Sequence, residues 1–236
     1  MQRPLPAVQN RLIEALPAED LGLVSPHLTL IDLERGRLLY DPGDAIDTIY
    51  FPHDGVISLM TLMENGAAIE SATIGREGAL GLMAAVAPRQ SLSRAIVQTP
   101  TRAARISAGQ LHEAWKKSPR IRTLVDRHTE ALYGHAIQSV ACNALHSVEA
   151  RFCRWLLTCH DRISTDTVAL TQEFLADMLG VQRTTVTAVA RGLQAKGAIR
   201  YRRGVVDIID RPVLEQIACE CYGVIRRNYE RLLPDG

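Results

Sequence analysis

The stretch "LTQEFLADMLGVQRTTVTAVARGLQAKGAIRYRRGVV", residues 170–206, decides the fold. Thr171 stands where a helix N-cap belongs, and Leu170 and Leu175 hold the positions of a hydrophobic staple. The helix it opens buries Phe174, Leu175, Met178 and Leu179, and Gly180 supplies the left-handed residue that ends it. A second helix runs from about Arg183 to Lys196 and stops at Gly197. Val186, Val189, Ala190 and Leu193 form its inner face; Arg183, Thr184, Thr187, Ala188 and Arg191 form its outer face. Two short helices joined by a tight glycine turn, the second small and polar outside, are a helix-turn-helix. "AIRYRRGVVDII" then reads as two strands around Arg202-Arg203-Gly204, a wing.

Charge agrees with this reading. No acidic residue lies between Asp177 and Asp207, while Arg183, Arg191, Lys196, Arg200, Arg202 and Arg203 do. The whole chain is only +1, so 21 basic residues face 26 acidic ones elsewhere. Positive charge gathered on one short module indicates a nucleic-acid backbone as its partner. The small Ala188 lets the helix approach closely, and its methyl suits a thymine methyl. The wing arginines suit phosphates beside the groove.

Working outward, residues 27–107 read as short strands. "HLTLIDL" and "VISLMTL" largely alternate apolar and polar side chains, and turn signals fall at Glu34-Arg35-Gly36, Asp41 to Asp44, Pro52 to Gly55 and Glu64-Asn65-Gly66. This indicates an antiparallel barrel or jelly roll, with a short helix near Val8 to Leu16 at one end. Residues 120–145 read as one long helix with the stripe Ile121, Leu124, Val125, Leu132, Ala136 and Val140, part of which is expected to meet a second copy. His128 and His135 lie near the same face and are read as packing or solvent-contact residues rather than a metal or pH site. Ser147 caps a helix over Val148 to Cys159, leaving a hinge before it, and Ile163 to Val168 reads as a loop. Pro212 opens a last helix with the stripe Leu214, Ile217, Cys221, Ile225 and Leu232. The odd count of five cysteines argues against a disulfide framework. Cys219-Glu220-Cys221 is too short a spacing for a common zinc motif, so no metal site is expected.

This order of parts resembles the Crp/Fnr family of bacterial transcription regulators, from about Leu30 to Ile209. The likeness rests on Gly36, Gly43-Asp44, Tyr50-Phe51 and Gly55-Val-Ile-Ser-Leu59 in the barrel, and on "LTQEFLADMLGVQRTTV" in the DNA module. It implies an α+β chain: a cyclic-nucleotide-binding-like sensor barrel or jelly roll over 1–118, a dimerisation helix and hinge over 119–146, and a winged helix-turn-helix with C-terminal helix over 147–236. It also implies that Arg183 contacts a guanine in the major groove and that Gln182 and Thr185 touch phosphates. The family's frequent glutamate is here Thr184, and a further common arginine is Ala188, so a site other than that of the cyclic-AMP receptor is expected. The DNA-facing set is Thr171, Gln182, Arg183, Thr184, Thr185, Thr187, Ala188, Arg191, Arg202 and Arg203.

The effector side departs from the pattern. The ribose-binding glutamate falls on Ala79, the phosphate-binding Arg-Ser pair falls on Ser93-Arg94 in reversed order, and the adenine-contacting positions fall on Ala136 and Ile137. A cyclic phosphate needs a cation and donors close by. Cyclic AMP is therefore not expected as the effector, and no cofactor is identified. Arg76, Glu77, Ala79, Ser93, Arg94 and Ala136 are the candidate effector-pocket residues. Iron–sulfur members carry cysteines near the N-terminus; here the first is Cys142, and neither His27 nor His53 is singled out for haem. No catalytic residue is expected, because there is no phosphate loop, nucleophile motif or metal-ligand spacing. The expected protein is a cytoplasmic homodimer that binds double-stranded DNA, with RNA polymerase admitted as a second partner and no membrane contact. The alternative is a ligand sensor acting mainly through a protein partner, with weak DNA binding.

Overall fold

The computed structural model describes residues 8–233. Among the described residues seven strands build the sensor: β1 (Thr29–Leu33), β2 (Leu38–Tyr40), β3 (Thr48–Pro52), β4 (Val56–Leu62), β5 (Ala68–Ile74), β6 (Arg94–Thr99) and β7 (Thr101–Ser107). They form two antiparallel sheets, in the orders β1-β7-β3 and β2-β6-β4-β5. Among the described residues no ladder joins the two sheets, so the sandwich is an open jelly roll rather than a closed barrel. The turns behave as the sequence indicates. Gly55 has φ 69°, and a Cβ there would stand 2.9 Å from the Thr101 Cβ, so no other residue fits.

The single N-terminal helix expected over Val8 to Leu16 is corrected to two, α1 (Arg11–Glu14) and α2 (Ala18–Val24). Asn10 caps the first, its Oδ1 accepting from the Leu12 N–H at 3.1 Å, and Pro17, which cannot continue a helix, stands at the N-cap of the second.

After α3 (Ala108–Lys117), α4 runs from Pro119 to Leu145. Its buried face is Ile121, Val125, His128, Ala131, His135, Ser139 and Cys142. The apolar stripe read from the sequence is thus out of phase beyond Val125: Leu124, Leu132 and Ala136 are half-buried and Val140 is exposed. Small and imidazole side chains face inward because other elements crowd this side. His128 packs against Gly78, where a Cβ would lie 2.8 Å from its Nε2, and His135 meets the Tyr229 ring edge-on at 6.0 Å.

The DNA module follows: α5 (Val148–His160), β8 (Thr167–Ala169), α6 (Gln172–Leu179), α7 (Arg183–Ala195), β9 (Ile199–Arg202), β10 (Val205–Ile208) and α8 (Arg211–Ile217). The loop expected over Ile163 to Val168 ends in a strand, since β8 pairs with β10 in the order β8-β10-β9. The one last helix expected after Pro212 is broken. Ala218 is extended (φ −60°, ψ 145°), and α9 (Cys221–Leu232) starts afresh. Leu214 belongs to the DNA-module core whereas Ile225 and Tyr229 pack with α4, and the bend serves both attachments.

Buried polar contacts made by Trp155 and Arg162 join sensor and DNA module. The Trp155 indole N–H donates to Glu70 of β5 at 3.0 Å, and the Ser58 hydroxyl donates to the same carboxylate at 2.5 Å. Arg162, after α5, donates to the Thr73 hydroxyl at 2.6 Å and to Glu77 at 2.5 Å. Its side chain occupies the space over Gly75, where a Cβ would lie 2.3 Å from Arg162 Cδ. Gly75→Ala is therefore expected to cost about 1–3 kcal/mol through overpacking. Gly109→Ala, in an exposed helical position with nothing within 4 Å, is expected to stabilise by about 0.5–1 kcal/mol. Urea unfolding followed by circular dichroism checks both; a neutral Gly75→Ala would mean that Arg162 does not occupy this place.

Candidate nucleic-acid interface

The site is built from local rules. Thr171 caps α6, its hydroxyl accepting from the Phe174 N–H at 3.2 Å, and Leu170 and Leu175 are both fully buried. Gly180 has φ 62° and turns the chain into α7. Val186, Ala190 and Leu193 are buried, Val189 half-buried. On the other side Gln182, Arg183, Thr184, Ala188 and Arg191 are exposed, with Thr185 and Thr187 half-buried beside them. The Thr187 hydroxyl donates to the Arg183 carbonyl at 3.0 Å.

The wing hairpin pairs Val205 with Arg202, leaving Arg203-Gly204 as a two-residue loop with φ 47° and 79°. Both positive angles fit the hairpin turn whose twist matches its strands. The wing rests on the start of α6: the Leu170 N–H donates to the Gly204 carbonyl at 2.7 Å, and the Tyr201 hydroxyl donates to the Leu170 carbonyl at 3.2 Å. Thr171, Gln172, Arg183, Tyr201, Arg203 and Gly204 thereby line one groove of about 340 Å³. Sequence reading missed Gln172 and Tyr201 as liners. The adjacency of Gln172 to the cap and of Tyr201 to the wing arginines was the available signal.

The absence of local carboxylates does not leave all six basic residues free. Lys196 pairs with Glu149 at 2.7 Å and Arg202 with Asp207 at 3.4 Å, while Arg183 Nε donates to the Gln172 side chain at 3.2 Å. Among the described residues Arg191, Arg200 and Arg203 make no ion pair. The pairs that exist are exposed and weak, so phosphates can replace the carboxylates at small cost.

The effector-side residues lie in different places. Arg76 and Glu77 line a cleft of about 270 Å³ shared with Arg162, Tyr222 and Tyr229; Ala79, Ser93, Arg94 and Ala136 do not line it. Arg94 is held by Asp41 in a two-point contact at 2.6 and 3.2 Å, and Ser93 contributes its carbonyl to the Ser91 hydroxyl. Ala79 is buried, its N–H donating to His128 Nε2 at 3.1 Å.

A jelly-roll sensor, a long connecting helix and a basic winged helix-turn-helix define a ligand-sensor type of DNA-binding transcription regulator. The comparisons agree with this class. Residues 30–118 match the cyclic nucleotide-binding domain and residues 150–217 match the Crp-like helix-turn-helix domain. The chain belongs to the Crp/Fnr family of transcription regulators. It is 23% identical to a global nitrogen regulator of Synechocystis sp. over 91% of this chain and 95% of that one. A global nitrogen regulator of Nostoc sp. is also 23% identical, over 74% and 82%. Among solved structures, a transcriptional regulator of the Crp/Fnr family from Eubacterium rectale superposes with a TM-score of 0.68 at 19% identity, covering 87% of this chain and 96% of that one. FixK2 from Bradyrhizobium japonicum superposes at 0.69 and 16%, covering 81% and 98%. No helix of the described residues is long and apolar enough to cross a membrane.

The two histidines of α4 carry a pH consequence. Burial lowers the His128 pKa to about 4, against a small opposing effect of Glu77. Burial also lowers that of His135, and the charges of Arg162 and Arg154 push it the same way. The neutral forms are thus built into the fold, while in the unfolded chain each titrates near 6.5. Stability is full above pH 6.5 and falls as acidification protonates the unfolded state, with His128 alone accounting for about 3 kcal/mol between pH 6.5 and 4. His128→Gln is expected to flatten this slope in urea unfolding at stepped pH. An unchanged slope would exclude His128 as its source.

Proposed function

We propose that this regulator acts in the cytoplasm as a homodimer on a near-palindromic DNA site, under the control of an effector other than cyclic AMP, with RNA polymerase as its downstream partner. The observation that carries the dimer is a seam of exposed apolar residues on α4: Tyr133, Ile137 and Val140 are 67%, 53% and 72% exposed and follow helical spacing i, i+4, i+7. Such a strip on the longest helix fits a second copy of the same strip. Pairing there would present two α7 helices to successive major grooves ~34 Å apart. Against cyclic AMP stand the apolar side chains of Ala79 and Ala136 and the engagement of Arg94 by Asp41. Titration calorimetry is expected to detect no submicromolar cyclic AMP binding.

Within the interface, Arg183 is assigned to a base and Arg202 and Arg203 to phosphates, with Gln182 and Thr185 as further backbone contacts. Arg183 opens the recognition helix and is exposed; Arg203 heads the wing turn. Arg183→Ala is expected to lose about 1–3 kcal/mol of discrimination at one base pair per half-site and to leave binding to random DNA largely intact. Arg203→Asn, a residue that tolerates the positive φ, keeps the turn but weakens all sequences alike and lowers the salt slope by about one for each phosphate that is no longer neutralised. Binding curves on the mapped site, a guanine-mutated site and random DNA separate the roles. Uniform weakening by Arg183→Ala would overturn the assignment. Replacing Ile137 and Val140 by Glu is expected to give monomers in light scattering and half-site binding only; a persistent dimer would place the interface elsewhere.

A further inference from the structure

The break between α8 and α9 has a chemical consequence that neither cysteine spacing nor DNA binding explains. It brings Cys219 and Cys221 to the C-terminal end of α4, against Cys142 and His146. Their three sulfurs and one imidazole nitrogen all lie within 4.8 Å of one another. Cys142 Sγ is 3.5 Å from Cys219 Sγ, and His146 Nδ1 is 3.5 Å from Cys221 Sγ. We propose that Cys142, His146, Cys219 and Cys221 form a tetrahedral Cys3His site for a zinc ion, which closes the DNA module onto the end of the dimerisation helix.

The geometry suits one ion. Zinc–sulfur bonds of about 2.3 Å give a tetrahedral sulfur–sulfur edge of about 3.8 Å, so the widest separation needs to close by only about 1 Å. Sulfurs this close surround a single ion and leave no room for the irons and sulfides of a cluster. A soft set of three thiolates and an imidazole selects zinc among the common divalent ions, and hard cations such as magnesium are excluded by it.

The surroundings are also those of a ligand set. His146 turns Nδ1 toward the sulfurs and places Nε2 3.2 Å from the Glu220 carboxylate, the outer partner that orients a metal-bound imidazole. The Gln138 amide N–H donates to Cys221 Sγ at 3.0 Å. Three thiolates, a neutral imidazole and a divalent cation sum to one negative charge. Two buried arginines of α5, Arg151 and Arg154, supply positive charge on that side: they are only 5% and 6% exposed, and each keeps an Nε without a hydrogen-bond partner. Cys153 and Cys159 are buried outside the cluster and take no part.

Placement gives the site its role. Cys142 lies in the last turn of α4 and His146 is its C-cap, in the hinge; Cys219 and Cys221 follow α8. The whole module from α5 to α8 leaves and returns through these four residues, so one ion would close that long segment at its root and couple metal binding to its folding. This needs no DNA and no effector, so its failure would leave the reading as a DNA-binding dimer untouched.

The test uses the full chain, prepared under reducing conditions from zinc-supplemented cells. Elemental analysis is expected to find one zinc per chain. Metal-free chain titrated with Co²⁺ is expected to take up one ion, with visible bands of a tetrahedral site and near-ultraviolet sulfur-to-cobalt charge transfer, and to release it to Zn²⁺. Glu220→Ala, at an exposed side chain that leaves the core intact, is expected to weaken zinc about 10–100-fold. Cys219→Ser and Cys221→Ser are expected to abolish the charge-transfer band, and Cys153→Ala to keep it. A folded wild-type chain with neither stoichiometric zinc nor a cobalt spectrum overturns the proposal. So does an iron–sulfur chromophore in anaerobically prepared chain, or a Cys142–Cys219 disulfide found by peptide mapping after alkylation. Should the cysteine variants fail to fold, the wild-type and Glu220→Ala titrations decide.

Discussion

The buried guanidinium of Arg162 ties the DNA module to the sensor strands. It is buried with its charge, which is costly unless the pairing is complete. Completion comes from the sensor: the Thr73 hydroxyl and the Glu77 carboxylate accept from its two terminal nitrogens, while its own carbonyl accepts from the Gly55 N–H at 2.8 Å. Gly75 must be glycine because the Arg162 stem passes over it. The loop between β5 and the following short helix thus has its conformation set from the DNA module, and the same loop continues into Gly78 and Ala79, which carry the weight of His128 from α4. One short stretch, 73–79, touches the connecting helix on one side and the DNA module on the other. A change in this loop cannot be confined to the sensor. The loop packs against both the connecting helix and the residue that follows α5.

Packing reinforces this attachment. Val56 and Met60 of β4 belong to the same apolar cluster as Trp155, Leu175 and Leu193, so the DNA module does not own a closed core of its own. Gly180, at the turn of the helix-turn-helix, sits against Ile69 of β5, and a Cβ there would approach it to 3.1 Å. The Trp155–Glu70 contact is polar and fully enclosed, and burial pushes the Glu70 pKa up. Enclosed polar pairs fix orientation because they tolerate only one arrangement. The interface between modules is thereby specific, whereas the DNA-facing surface is held by loose exposed pairs that DNA can displace. Rigid inside and exchangeable outside is the electrostatic arrangement a DNA reader needs.

What the sequence determined is local. The caps at Thr171 and Ser147, the left-handed glycines at 180 and 197, the wing turn and the exposure of Arg183, Thr184, Ala188 and Arg191 follow from propensity, capping and period, which act over a few residues. The jelly-roll strands were legible for the same reason, from alternation and turn residues. Tertiary structure decided what depends on partners distant in the chain. The inward phase of α4 could not be read from hydrophobicity, because its buried positions include His128, His135 and Ser139. The break after Ile217 has no proline or glycine to announce it; it arises because Leu214 and Ile225 serve different cores. Cys219-Glu220-Cys221 shows no metal spacing by itself, because the residues that complete it, Cys142 and His146, lie about seventy-five positions earlier, and only the fold of the intervening module returns the chain to them.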